Sequence, residues 1–201
     1  QACRCRGSFK TNSKFMITGK NYIGYTLSGN GATTYKTINP KLNIENPAVY
    51  WEATSEEIET AMNLASKAFL SYRDMPGKKR AEFLNAIADE IMALGDLLIE
   101  TYMSETGLPE GRAKGERGRT VGQLRMFAQL IETDDWRELT IDTAEIDRAP
   151  MPKPDLRQML IPLGPVVVFG ASNFPLAYAT AGGDTASALA AGCPVVVKSH
   201  P

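Results

Sequence analysis

Apolar and polar positions alternate in three different ways along the chain, and each pattern predicts a different kind of element. Near the start, Tyr22–Leu27 and Thr33–Thr37 are rich in β-branched and aromatic residues. They flank Ser28-Gly29-Asn30-Gly31, which predicts a β-hairpin that Asn39-Pro40 then ends. From Thr54 the period becomes helical. Ile58, Met62, Ala65 and Phe69 share one face, and Thr54 and Glu57 have the spacing of a capping box. A second helix follows Pro76, with Leu84, Ile87, Ile91 and Leu94 on one face. Gly95-Asp96 breaks it, and Leu97–Met103 continues as a third.

A fourth helix is predicted from Pro109 to Ile131. Gly111, Gly115, Gly118 and Gly122 fall on one of its faces. Each glycine costs about 1 kcal/mol against alanine inside a helix. Four of them predict a compensating close approach, by another backbone or by a ligand. Lys114, Glu116, Arg117 and Arg119 are interleaved, which excludes a membrane dimer face.

Glu138–Ile146 alternates weakly and Leu156–Ile161 does so again, across the proline-rich stretch 149–154. The pair predicts a projecting two-stranded ribbon. Beyond it, Pro165–Phe169 and Pro194–Val197 are short apolar runs of the kind buried in parallel sheets. Between them, Pro175 suits the first turn of a helix that runs on through Leu176–Ala191 to a stop at Gly192. The whole reads as one βαβ unit. Both strands then point the same way, so Gly170–Asn173 and Lys198–Pro201 lie side by side. In open α/β sheets that edge binds nucleotides, and a helix N-terminus there offers N–H groups to phosphate. The G-x-G-x-x-G fingerprint is absent. On periodicity alone a cofactor-free βαβ unit is an equal reading, with Lys198 a solvated strand end and Asn173 a helix cap. No internal repeat or low-complexity tract is present.

Composition narrows the classes. Of 201 residues, 43% are hydrophobic and 22% charged, which is globular. A net charge of -1 argues against a nucleic-acid surface. No apolar run reaches the roughly 20 residues of a membrane span, and no secretory h-region opens the chain. Cys3, Cys5 and Cys193 form neither a disulfide framework nor a metal site, which fits a cytoplasmic location. His200 is the single histidine, which argues against a Ser-His-Asp triad. Residues 1–15 carry Arg4, Arg6, Lys10 and Lys14 with little periodicity. They read as disordered, upstream or non-native sequence, with the native start near Met16; a functional basic arm is the alternative.

Three motifs carry a family resemblance. Gly164-Pro-Val-Val-Val-Phe-Gly-Ala-Ser-Asn-Phe-Pro175 resembles the first cofactor strand of aldehyde dehydrogenases, with its Asn-Phe-Pro signature. Val195-Val-Val-Lys198 resembles the next strand, which ends in the cofactor lysine, and Glu105-Thr106-Gly107-Leu108-Pro109 resembles the Glu-x-Gly-x-Pro element upstream. The resemblance covers residues 17–201. Gly115–Thr120, Gln123–Arg125 and Gly182–Pro194 look like the α-ketoglutaric semialdehyde (2,5-dioxovalerate) dehydrogenase branch.

The resemblance implies an α/β fold: the N-terminal part of an aldehyde dehydrogenase-like fold. In it, residues 16–137 form a hairpin and helical scaffold, 138–162 an oligomerisation-type ribbon, and 163–201 the start of a Rossmann-like unit for NADP or NAD. It implies a cysteine thiolate that attacks the aldehyde, hydride transfer to the nicotinamide, and a glutamate-activated water that releases the acid. Asn173 matches the oxyanion-stabilising asparagine. Phe169, Gly170, Ala171, Ser172, Lys198, Ser199, His200 and Pro201 match cofactor-binding positions. Arg119 and Phe174 match substrate positions, with Arg119 read as buried and bonding a distal carboxylate; a solvated arginine, or one paired with Glu116, is the alternative. No metal is implied. Many NAD-preferring relatives carry a glutamate at the position of Pro201, so NADP is expected to be accepted.

Neither the nucleophile nor the base matches a residue here. Cys193 precedes a proline at a strand start, on the wrong edge of the sheet. The chain is therefore expected to be inactive by itself, and the full-length enzyme to be a cytoplasmic homo-oligomer. Two rivals stay open: another semialdehyde or fatty-aldehyde dehydrogenase of the family, or a non-catalytic chain that binds nucleotide or dimerises.

Overall fold

The structure, a computed structural model, describes residues 17–133 and 135–200. The expectations for residues 1–15, Met16 and Pro201 lie outside the described residues.

β1 (Asn21–Ile23) pairs antiparallel with β2 (Thr26–Ser28), with Tyr22 opposite Leu27. The hairpin turn is therefore Gly24-Tyr25, not Ser28–Gly31. Gly24 has φ 61, the left-handed conformation that a two-residue hairpin loop requires. Tyr22–Leu27 thus folds back on itself instead of forming one strand. β3 (Thr34–Tyr35), β4 (Ile38–Asn39), β5 (Ile44–Glu45) and β6 (Tyr50–Trp51) follow. β3 pairs with β6 and β4 with β5, both antiparallel.

α1 (Ser55–Tyr72) starts at the predicted capping box. The Glu57 N–H donates to Thr54 Oγ1 at 3.2 Å, and the Thr54 N–H donates to Glu57 Oε2 at 2.8 Å. The other Glu57 oxygen accepts from the Ser28 hydroxyl, which ties β2 to the helix. Of the predicted apolar stripe, Ala65 is buried and Ile58 is exposed. α2 (Gly77–Ala93), α3 (Gly95–Thr106) and α4 (Glu110–Leu130) stand where the periodicity placed them, with Gly95 at φ 57 marking the break.

Among the described residues, nothing lies within 4 Å of a Cβ built at Gly111, Gly115, Gly118 or Gly122. The expected close approach on that face is absent there. The packed face of α4 carries Ala113, Glu116, Thr120, Val121, Leu124 and Ala128 instead. Alanines provide the tight helix contacts: Ala81, Ala88, Ala128, Ala186 and Ala190 share one core with Leu84, Leu124 and Ile131.

A short 3₁₀ turn at Asp135–Arg137 leads to β7 (Thr140–Asp142), which pairs antiparallel with β8 (Leu156–Gln158). This is the predicted ribbon. Lys153 bridges Asp142 at 2.6 Å and Glu145 at 2.9 Å along it.

β9 (Val166–Phe169), α5 (Gly183–Ala191) and β10 (Val195–Lys198) form the βαβ unit, with β9 and β10 parallel. α5 begins at Gly183, much later than the expected Pro175. Adjacent Gly182 and Gly183 disfavour a continuous helix by about 1 kcal/mol each. A Cβ at Gly182 would also lie 2.5 Å from the Ala177 carbonyl oxygen, so the chain turns tightly against itself here. No described helix is long and apolar enough to cross a membrane.

Candidate active site

The parallel register sets Phe169 level with Lys198, so the chain leaves both strands at one edge. A cavity of about 770 Å³ opens at that edge. One wall is Gly170, Ala171, Ser172 and Asn173, and another is Lys198, Ser199 and His200. Tyr35–Ile38, Glu105, Leu108 and Arg112 close the far side. Pockets for small ligands have this size. Phe169 is 70% exposed and is not among the residues that line the cavity. The start of α5 at Gly183 is also outside it, so that helix end does not face the cavity as expected. Cys193 is buried before the start of β10, away from the cavity edge. Buried thiols of this kind are inert.

Asn173 sits on an irregular turn and does not cap α5, whose N-cap is Gly182. Its carbonyl accepts from Arg112 Nη2 at 3.0 Å. Arg112 Nε in turn donates to Glu116 Oε1 at 2.7 Å. Glu116 is 3% exposed. The Tyr102 hydroxyl reaches the same oxygen at 2.8 Å, and the N–H groups of Leu176 and Ala177 donate to Oε2 at 3.0 and 3.2 Å. Burial pushes the Glu116 carboxyl up. The bonds from Leu176, Tyr102, Arg112 and Ala177 more than offset it and hold the group below its ordinary 4.5. Burial and the same carboxylate push the Tyr102 hydroxyl up to about 12.

Phe174 lies on the other side of the turn. The Arg112 guanidinium stands 4.6 Å from its ring centre and that of Arg119 5.6 Å. Arg119 donates to the Tyr178 hydroxyl at 2.6 Å. It is exposed, not buried, and its partner is not Glu116, because Arg112 holds that carboxylate one turn earlier. Neither Arg119 nor Phe174 lines the cavity. The far wall is fixed by Glu105, which accepts from Thr37 Oγ1 at 3.0 Å and the Tyr50 hydroxyl at 3.2 Å. Burial, then the Glu105 charge and hydrogen bond, push Tyr50 up to about 12.

The structure thus gathers Gly170–Asn173 and Lys198–His200 as the sequence predicted, and adds Arg112, Glu116, Tyr178 and Glu105. A signal for the first pair exists in the sequence: Arg112 and Glu116 are four apart on a helix, the spacing of an ion pair. Nothing local announces that Glu116 binds a backbone 60 positions later.

Residues 26–201 match the aldehyde dehydrogenase family. The chain is 53% identical over 186 residues to α-ketoglutaric semialdehyde dehydrogenase 2 of Azospirillum brasilense, covering 92% of this chain and 35% of that protein. It is 47% identical over 182 residues to the α-ketoglutaric semialdehyde dehydrogenase of Acinetobacter baylyi, covering 90% and 35%. Among solved structures, a double mutant of betaine aldehyde dehydrogenase from Staphylococcus aureus, in complex with NAD+, superposes with a TM-score of 0.77 at 26% identity, covering 92% of this chain and 36% of that one. The chain spans about a third of the length of the relatives it matches, at 35%.

Proposed function

Because the chain belongs to the aldehyde dehydrogenase family, we propose that it supplies the cofactor edge and oxyanion loop of an enzyme that oxidises 2,5-dioxopentanoate to 2-oxoglutarate with NADP or NAD. One observation carries this reading: Asn173 and Lys198 line one cavity at the C-terminal edge of parallel strands. The residues present fit a nicotinamide dinucleotide. Gly170, Ala171 and Ser172 are small enough for a ring to approach the backbone, and Lys198 gives a cation for a ribose or phosphate oxygen. The cofactor, when bound, accepts hydride from the substrate. The Asn173 amide N–H donates to the aldehyde oxygen as negative charge gathers there. Arg119, stacked between Phe174 and Tyr178, gives the loop a positive group toward a carboxylate at the far end of the substrate. The nucleophilic thiolate and the water-activating carboxylate come from outside these 201 residues, and the ribbon β7–β8 serves contacts between copies. The 47–53% identity to α-ketoglutaric semialdehyde dehydrogenases supports the substrate assignment.

The test is steady-state formation of reduced cofactor by the full-length enzyme, with 2,5-dioxopentanoate compared against an uncharged aldehyde of similar length. A kcat/KM for the dioxo acid higher by about 10-fold or more is expected from one charged hydrogen bond. Equal values for both aldehydes would remove the substrate assignment.

A further inference from the structure

We infer that Glu116, acting through Arg112 and through two backbone N–H groups, is a positioning residue that holds Asn173 in place for its contact with the aldehyde oxygen. The inference rests on the proposed oxyanion role of Asn173. The segment after β9 has no regular element to hold it, because α5 begins only at Gly183. It contains one helix-like turn, closed by the Tyr178 N–H on the Phe174 carbonyl at 3.0 Å. Pro175, Leu176 and Ala177 are the first three positions of that turn. Its early N–H groups point away from any carbonyl of their own turn, as they do at every helix start. Pro175 has none to satisfy. The N–H groups of Leu176 and Ala177 both go to Glu116 Oε2. A carboxylate on α4 therefore caps this turn across space, where a Ser or Asp just before it would cap an ordinary helix.

The other Glu116 oxygen fixes Arg112 and is fixed in turn by Tyr102. All acceptor positions of the carboxylate are thereby used. Arg112 is locked by three contacts: Glu116, the face of Phe174, and the Asn173 carbonyl. The turn is held from both ends by one buried charge. Asn173 just before it has its backbone pinned while its side chain stays exposed at the cavity wall. Pinning the backbone and leaving the amide free is the arrangement an oxyanion donor needs, since misplacement by about 1 Å can cost about 100-fold in rate.

The experiment uses full-length enzyme carrying Arg112→Met, Arg112→Lys or Glu116→Gln. It reads kcat, both KM values, and amide hydrogen exchange over residues 171–178. Arg112→Met and Arg112→Lys leave the Glu116 bonds to Leu176 and Ala177 in place, so they test the role even where Glu116→Gln fails to fold. Arg112→Met is expected to lower kcat by about 10–100-fold with both KM values nearly unchanged. Arg112→Lys should recover part of that loss. Glu116→Gln sets an amide NH₂ among donors and is expected to speed exchange at Leu176 and Ala177 by about 10-fold or more. Unchanged kcat in Arg112→Met, with only a lower melting temperature, would overturn the positioning role. So would unchanged exchange at Leu176 and Ala177 in a folded Glu116→Gln variant. If the wild type oxidises no aldehyde, the proposed function fails by itself, and the exchange measurement still decides whether Glu116 holds the turn.

Discussion

Arg119 on α4 donates to the hydroxyl of Tyr178 at 2.6 Å, and its guanidinium stacks 5.0 Å from the centre of the same ring. The contact joins the scaffold to the loop after β9. Because Arg119 is exposed, its remaining N–H donors can meet a carboxylate from solvent. Losing a hydrogen bond to a charged group costs about 1.5–3 kcal/mol. Arg119→Met is therefore expected to raise KM for 2,5-dioxopentanoate by about 10–100-fold, and KM for an uncharged aldehyde by much less. Tyr178→Phe should give a smaller change in the same direction, because it loosens the guanidinium without removing it. Equal changes for the two aldehydes, measured by steady-state kinetics, would show that Arg119 serves the fold alone.

Asn173→Ala separates chemistry from stability. Asn173 is no helix cap here, since Gly182 takes that place for α5. Its removal should leave the melting temperature almost unchanged while kcat falls by about 10²–10³-fold. Normal turnover would exclude the oxyanion role.

The clamp on the loop depends on pH through Glu116. Burial raises its carboxyl, and the four donors lower it further than burial raises it, so the folded value lies below the ordinary 4.5. A carboxylate with a depressed folded value stabilises the fold above its unfolded value. That contribution is lost as pH falls through the folded one. The stability difference between wild type and Glu116→Gln should thus stay constant from about pH 8 to about pH 5, and shrink below 4.5. Urea denaturation at a series of pH values measures it. A difference that instead shrinks near neutral pH would mean that another group controls the loop.

Cofactor choice is testable at Pro201, the position at which, by the family resemblance, many NAD-preferring relatives carry a glutamate. The enzyme is expected to use NADP at least as well as NAD, and Pro201→Glu to lower kcat/KM for NADP selectively. A strong NAD preference that Pro201→Thr leaves untouched would count against this.

The order and kind of the four scaffold helices, the ribbon and the βαβ strands were legible from the sequence alone, because they follow from local rules, whereas the short strands β4–β6 carry no such local signal. A capping box at Thr54 and Glu57, a helical period in α2 and a β-branched run at Val166–Val168 each fix backbone conformation within a few residues. The pairing of β9 with β10 was legible too, since one βαβ unit leaves little choice. The sequence failed where a long-range contact outweighed a local signal. Pro175 marks a helix start, yet the turn ends within a few residues, because Gly182 and Gly183 break it and Glu116 provides the cap from another helix. Glu116 had two arginines within hydrogen-bonding spacing on its own helix, and the choice of Arg112 over Arg119 was made by Tyr178 and Asn173, far along the chain. The glycines of α4 suggested a packed face, and the packed face proved to be the alanine side, where α2 and α5 meet α4. Backbone propensity acts between neighbours in sequence. The partner of a buried charge is set by which elements pack together, and only the tertiary structure decides that.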